Sequence, residues 1–229
     1  MNVEETDGLR RRATLHSALG DVTRLRIVDL LALSDRSASE LGASLSIPSN
    51  LLAHHLRTLE AVGLVTRRPS EGDARRSYLT LSAHDEWVLR DAGTDRQPVR
   101  ASRVVFVCTA NTARSHLAAA AWRRVSAVPA ASAGTHPGER IHPGALAAAQ
   151  RHDLEVPDVA PRVLDEEAGD VIVTVCDRAH EELDGRDWAH WSVPDPVVVD
   201  TRRAFDEAYE ELTARTTRLA GLVGAPRRG

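Results

Sequence analysis

In the run Val104–Ser115, V-V-F-V-C-T-A-N-T-A-R-S, a thiol at Cys108 stands six residues before a guanidinium at Arg114, and a hydroxyl follows at Ser115. A thiolate is a strong nucleophile. A planar arginine fork holds two oxygens of a tetrahedral anion such as phosphate or arsenate. The Ser115 hydroxyl can hydrogen-bond the thiolate or a leaving sulfur. The residues between them, Thr109, Ala110, Asn111, Thr112 and Ala113, would close an oxyanion-binding loop with Arg114 through their backbone N–H groups. Spacing alone is a weak signal: with two cysteines and 29 basic residues that are all arginine, it arises by chance in roughly a quarter of such chains. The bland alternative makes Cys108 a small buried hydrophobe at a strand end.

The flanking sequence adds weight. Val104–Val107 is a short apolar run of β-branched and aromatic type, which predicts a buried strand. From Ala113 onward the residues are helix formers with an apolar face at Leu117, Ala121 and Trp122. Cys108 is therefore expected at a strand-to-helix turn, where backbone N–H groups lack partners and the helix dipole favours negative charge. Such a turn binds anions and lowers a thiol's pKa.

Downstream, strand-like and helix-like stretches alternate. A-A-S-A-G-T-H-P (130–137) and D-V-I-V-T-V-C (170–176) read as strands, I-H-P-G-A-L-A-A-A-Q-R-H (141–152) as a helix, and W-S-V-P-D-P (191–196) as a loop. A last helix is expected over 202–222, with Phe205, Tyr209, Leu212 and Leu219 on one face. This order predicts a parallel sheet with helices on both faces and a site at the carboxyl ends of its strands. Cys108, Cys176 and Asp195 all fall at such ends.

With these segments in place, residues 102 to 224 resemble the low-molecular-weight protein tyrosine phosphatase superfamily, which includes arsenate reductases that couple to thiol reductants. The resemblance implies a catalytic set of Cys108, Arg114, Ser115, Asp195 and Cys176. Asp195 would protonate the departing oxygen; its alternative is a plain Asp-Pro turn. Cys176 stands where phosphatases of the family carry Asp and arsenate reductases carry a second cysteine. Reduction of arsenate to arsenite takes two electrons, which a thiol pair can supply, whereas ester hydrolysis takes none; the alternative is an idle core cysteine. Val197 and Val198 replace the aromatic residues of tyrosine-specific members. Leu183 occupies the place of a third cysteine, so the final electron donor is expected to be a small thiol with a redoxin, or thioredoxin, with no bound cofactor. Ala110 replaces the usual Gly and would be strained if the loop needs positive φ there. Ala119 replaces the Glu of potassium-binding members, and no metal is expected.

The first hundred residues carry a different pattern. Leu25–Leu31 reads as an amphipathic helix, and Ser37–Leu45 as a second, capped by Ser37 or Ser39. A turn follows in which Ser46 can cap and Pro48 enters the first turn of the next helix. That helix, 49–59, buries Leu52, Leu56 and Leu59 and turns Ser49, Asn50, His54 and Arg57 to solvent. Residues 63–81 form two alternating runs around Glu-Gly-Asp, a basic hairpin wing with Arg67, Arg68, Arg75 and Arg76 placed for phosphates. Residues 9 to 92 resemble the ArsR family of winged-helix repressors, most specifically over Leu15–Leu31. The resemblance implies a homodimer through the first and last helices of the domain, bound to a near-palindromic double-stranded DNA operator; a domain for protein contacts is the alternative. Members that sense arsenite do so through cysteines, and this half has none, which excludes direct thiolate sensing there. His54 and His55 lack the further ligands a metal site needs.

The expected organisation is thus an α+β winged helix-turn-helix (1–92), a polar linker (93–101), and an α/β domain with a four-stranded parallel sheet and helices on both faces (102–229). A net charge of −4 means DNA affinity would rest on a local patch; Ile47–Tyr78 carries five Arg against three acids. No leader or membrane-spanning run is visible, so the expected location is cytoplasmic, without membrane contact, where two thiols suggest chemistry over a structural bridge. Three functions fit: an arsenate reductase fused to a DNA-binding regulator, a phosphatase carrying a DNA-binding domain, and a regulator whose phosphatase-like domain is a non-catalytic oxyanion or redox sensor.

Overall fold

A computed structural model describes residues 3–82, 88, 98–157 and 159–226. The chain divides into one unit of Met1–Pro69 with Arg75–Asp95, and a second of Ser70–Ala74 with Arg96–Gly229.

The first unit runs α1 (Val3–Leu19), α2 (Val22–Leu33), β1 (Arg36–Ser37), α3 (Ala38–Leu45), α4 (Ser49–Ala61), β2 (Val65–Pro69) and β3 (Ser77–Leu81). Asp21 caps α2 by accepting from Arg24 N at 2.9 Å. Ser37 caps α3, and Glu40 reaches back to Ser37 N at 2.7 Å, so two otherwise orphaned donors are satisfied. The next turn differs from the expectation. Ser46 closes α3 instead of opening α4: it takes a left-handed φ of 54°, while Ser46 N and Ile47 N donate to Ala43 O and Gly42 O. Pro48 is then the residue just ahead of α4, where its missing N–H and fixed φ cost nothing. Leu15, Ile27, Leu31, Leu41, Leu52, Leu56, Leu59, Leu79 and Val88 fill the core. The strands form an antiparallel sheet in the order β1-β3-β2. The last helix of the expected dimer surface lies outside the described residues, apart from Val88.

The second unit contains β4 (Val99–Arg100), β5 (Arg103–Cys108), α5 (Arg114–Val125), β6 (Ala130–Gly134), α6 (Pro143–Arg151), β7 (Asp170–Thr174), α7 (Asp177–Leu183), β8 (Ala189–His190), α8 (Pro196–Val199), α9 (Arg202–Ala220) and β9 (Val223–Gly224). Four strands make a fully parallel sheet in the order β6-β5-β7-β8, while β4 and β9 pair separately. β5 is central and apolar, as its composition requires. Its Phe106 sits against Trp122 of α5 and Trp191, at ring separations of 6.1 and 5.8 Å. The small residues Ala118–Ala121 are buried and let α9 pack closely on α5. At the end of β6, Gly134 has no substitute: a Cβ there would lie 2.6 Å from Thr109 O and 3.0 Å from Asn111 N, so the glycine is what lets the loop after β5 approach.

The lower ends of β5 and β7 are held by charge. Arg103 and Asp170 face each other in register, with Arg103 Nε and Nη2 donating to Asp170 Oδ1 and Oδ2 at 3.0 and 2.6 Å. Burial pushes the Asp170 carboxyl up, but Arg103 and the backbone N–H of Glu167 outweigh it and hold it below the usual carboxylate range. A depressed folded value stabilises the fold above the unfolded value of about 3.9, and that stabilisation is lost as pH falls through it. Asp170→Asn should therefore cost roughly 1–3 kcal/mol near neutrality, and the gap to the parent in thermal melts should close in strong acid. A gap that stays constant from neutral to strongly acid pH would contradict the pairing.

Candidate active site

Cys108 ends β5, and α5 begins at Arg114, so the five residues between them form the expected turn. The left-handed residue in it is Asn111, with φ of 51°, and Ala110 is not among the positive-φ residues. An alanine is therefore tolerated at 110. Asn111 is completely buried and joins the loop to its surroundings. Its Oδ1 accepts from Arg162 N at 2.9 Å, which fixes the amide's orientation because a backbone N–H can only donate. Its Nδ2 then donates to Ser115 Oγ at 2.8 Å, and its backbone N–H donates to Cys108 Sγ at 3.2 Å. Ser115 Oγ lies 3.2 Å from Cys108 Sγ. Since Ser115 already accepts from Asn111, its own proton is available to the sulfur, and Cys108 sits as an acceptor of two donors, an arrangement that suits a thiolate.

Arg114 is 6% exposed. Its Nη2 donates to Asp195 Oδ2 at 2.7 Å, and its Nη1 donates to Val193 O at 2.7 Å and to Glu71 Oε2 at 2.8 Å. Burial opposes its charge, but Cys176, Asp195, Cys108 and Glu71 more than reverse this and raise its pKa. Asp195 caps α8 by accepting from Val197 N on Oδ1, so both of its oxygens accept a hydrogen bond and only Oδ2 faces Arg114. Cys176 lies just beyond β7 and caps α7, its sulfur accepting from Ala179 N at 3.4 Å and standing 3.4 Å from Thr109 Oγ1. Both cysteines are free and buried. Burial pushes the Cys176 thiol up to about 11 against the opposing pull of Arg114. Cys108, Arg114, Ser115, Asp195, Cys176 and the loop 109–113 are thus gathered at one end of the sheet. Leu183 is a buried core residue at the end of α7. Val198 is 84% exposed.

Several residues at this site carry no sequence signal of their own. Arg162 and Glu71 are two. His116 is a third: it is buried, with Nδ1 3.2 Å from Ser132 Oγ, and burial pushes its pKa down. Another group lies behind Cys176. Among the described residues, His180, Asp187 and His190 offer ligand atoms within 4.8 Å of one another. The two imidazoles, however, stack at 4.2 Å and 9°, so their in-plane lone pairs run side by side instead of converging on one ion. Hydrogen bonds already link them, with His180 Nδ1 2.7 Å from Asp187 Oδ2 and His190 Nδ1 3.0 Å from Thr174 Oγ1.

In the first unit, Ser49, Asn50, His54 and Arg57 are exposed along α4 while Leu52, His55, Leu56 and Leu59 are buried. His55 faces inward, with Nδ1 3.6 Å from Asp21 Oδ1. Arg67 is held by Glu60 at the end of α4 at 3.2 Å and by Ser77 Oγ at 3.3 Å. Arg75 and Arg76 are exposed, and Arg68 is half-buried.

Residues 103–227 match the family model described as low molecular weight phosphotyrosine protein phosphatase. The chain belongs to that family. Residues 21–67 match the bacterial regulatory protein, arsR family, so a regulator's helix-turn-helix precedes the phosphatase-family domain. No curated protein matches the chain significantly. Among solved structures, similar folds include arsenate reductase from Archaeoglobus fulgidus (27% identity, 52% of this chain and 98% of that one, TM-score 0.46). YwlE from Bacillus subtilis, a mutant form, has 21% identity over 53% of this chain and 97% of that one, with TM-score 0.48. The tyrosine phosphatase Wzb from Escherichia coli, with sulphate, has 19% identity over 52% and 96%, with TM-score 0.48. No described helix is long and apolar enough to cross a membrane.

The buried setting of Cys176 has a direct readout. In a Cys108→Ala variant the remaining thiol should titrate above the ordinary cysteine value of about 8.5 when followed by thiolate absorbance. A midpoint at or below that value would contradict the burial that separates Cys176 from solvent.

Proposed function

We propose that this phosphatase-family domain is a thiol-dependent arsenate reductase, joined to a DNA-binding regulator of arsenic resistance. The single observation that carries this reading is the meeting of the chain's two cysteines at one oxyanion loop, where hydrolysis of a phosphate ester would use only one. Cys108 attacks the arsenic of bound arsenate while Arg114 and the loop amides of 109–113 hold its oxygens. The entering arsenate displaces the Asp195 carboxylate from Arg114 and hands it a proton; as Cys108 Sγ forms a bond to arsenic(V), Asp195 returns that proton to the departing oxygen, which leaves as water. The Cys176 thiolate then attacks Cys108 Sγ. A disulfide forms, the sulfur–arsenic bond breaks, and its electron pair stays on arsenic, which departs as arsenite. An external thiol, from a small thiol with a redoxin or from thioredoxin, reduces the disulfide. Alternatively, an external thiol attacks Cys108 directly and releases arsenite in the same way. Ser115 donates to the Cys108 sulfur when it is a thiolate, before the attack and again as the disulfide is reduced.

On the DNA side, Ser49, Asn50, His54 and Arg57 would read the major groove of a double-stranded operator, and Arg67, Arg68, Arg75 and Arg76 would contact phosphates. The active form would be a dimer through this unit. Arg67 must exchange Glu60 for phosphate to take part.

Purified full-length protein given arsenate and a complete thiol-reductant system should release arsenite. Cys108→Ser should abolish turnover, and Asp195→Asn should slow it by about 10²–10⁴-fold. Absence of arsenite alongside robust aryl phosphatase activity would replace this reading with the hydrolytic one. For DNA, a gel shift on the protein's own promoter should weaken as salt rises. Arg75→Ala with Arg76→Ala should weaken it across sequences, and unchanged affinity would refute the wing contacts.

A further inference from the structure

His190 is 1% exposed, and its two ring nitrogens face Asp177 Oδ1 at 3.1 Å and Thr174 Oγ1 at 3.0 Å. The partner at Nε2 dictates what that nitrogen does. Asp177 is buried, yet its hydrogen bonds to His190, Ser192 and the backbone N–H of Glu71 outweigh that burial and hold its pKa low. It is therefore a carboxylate that can only accept, and His190 Nε2 must donate. Thr174 has one hydroxyl proton, which goes to Asp187 Oδ2 at 2.5 Å. Thr174 Oγ1 and Asp177 Oδ1 thus grip the ring at both of its nitrogens. The His180 ring lies flat on it at 4.2 Å and donates from Nδ1 to the same Asp187 oxygen. Asp177 on α7 and Asp187 in the loop before β8 thus flank the stacked rings.

Asp177 is the first residue of α7, and Cys176 is the cap of that helix. The hydrogen bond from His190 therefore ties the start of α7 to β8, and Thr174 ties it to β7. The Cys176 sulfur itself is held loosely, by weak contacts to Ala179 N and Thr109 Oγ1 at 3.4 Å each. From this placement we infer that His190, clamped between Asp177 and Thr174, is a positioning residue that aims the Cys176 sulfur at Cys108. This rests on the reading of Cys176 as the attacking thiol given above. In this role His190 acts through Asp177, at the start of α7.

The test uses the full-length reduced protein and the oxidant diamide, and it follows closure of the Cys108–Cys176 disulfide by mass spectrometry. Affinity for inorganic phosphate, measured calorimetrically, reports on the Cys108 loop alone. His190→Gln should slow closure by about 10- to 100-fold, as expected for a reacting group displaced by an ångström or so, while phosphate affinity stays within about twofold. Asp177→Asn, which keeps the side chain's shape, should show the same split and serves if His190→Gln does not fold. Unchanged closure in the variants, a parallel loss of closure and phosphate affinity, or a parent protein that never closes the disulfide would each overturn the inference. If the parent closes the disulfide with the predicted split but makes no arsenite, the positioning stands and only the assigned reaction falls.

Discussion

A guanidinium buried among thiols and carboxylates is the constraint around which this site is arranged. Taking an isolated cation out of water costs several kcal/mol even after relaxation, and at 6% exposure Arg114 has little water to fall back on. Its charge survives because Asp195, Glu71 and the Val193 carbonyl take its N–H groups, and the two sulfurs lie within its field. Every one of these partners is an anion, a group that can become one, or a carbonyl. An oxyanion entering the loop therefore replaces like with like, and the fork that holds carboxylates at rest is the fork that would hold arsenate or phosphate.

Sheet geometry explains why two cysteines 68 positions apart in the chain share this field. β5 and β7 are neighbours in parallel register, with Val107 opposite Thr174, and Val175 N continues the ladder to Val107 O at 2.7 Å. Adjacent strands lie about 4.8 Å apart, a separation compatible with the span of a disulfide. Residues leaving the carboxyl ends of two such strands at nearly the same height are brought together without any dedicated contact. The Arg103–Asp170 pair fixes that register from the opposite end, so a one-residue slip that would part the sulfurs also breaks an ion pair.

Much of this was readable in the residues because local chemistry forces it. The apolar run before Cys108 makes a buried strand and the alanine-rich run after Arg114 a helix, whereas the need for Gly134, where the loop backbone comes within 2.6 Å of a would-be Cβ, shows only in the fold. Ser37 was one of two readable caps for α3, and the return bond from Glu40 to Ser37 N decides for it. What escaped depends on partners far away in sequence. Ser46 looked like a cap but became the left-handed end of α3, a choice set by the carbonyls of Gly42 and Ala43. The strain suspected at Ala110 falls on Asn111, and Asn111 can bear it because Arg162, 51 residues later, fixes its side chain. His180 and His190 lie in a stretch with no motif, and only the folding of β8 beside β7 sets their rings face to face.

The burial of Cys176 also bears on the order of events. A thiol held up to about 11 is almost wholly protonated at neutral pH, so in the resting protein it is a poor nucleophile and a poor target for oxidants. Cys108, by contrast, is met by two donors, the Asn111 N–H and the Ser115 hydroxyl, and is the sulfur equipped to act first. Arg114 pulls Cys176 toward the thiolate while burial pushes it away. The balance is therefore sensitive to whatever else occupies the guanidinium. In the proposed cycle, departure of arsenic with its electron pair and entry of the Cys176 thiolate are coupled, because the charge that leaves with arsenite frees Arg114 to stabilise the incoming sulfur. Burial in this arrangement protects the second thiol until the first has already reacted.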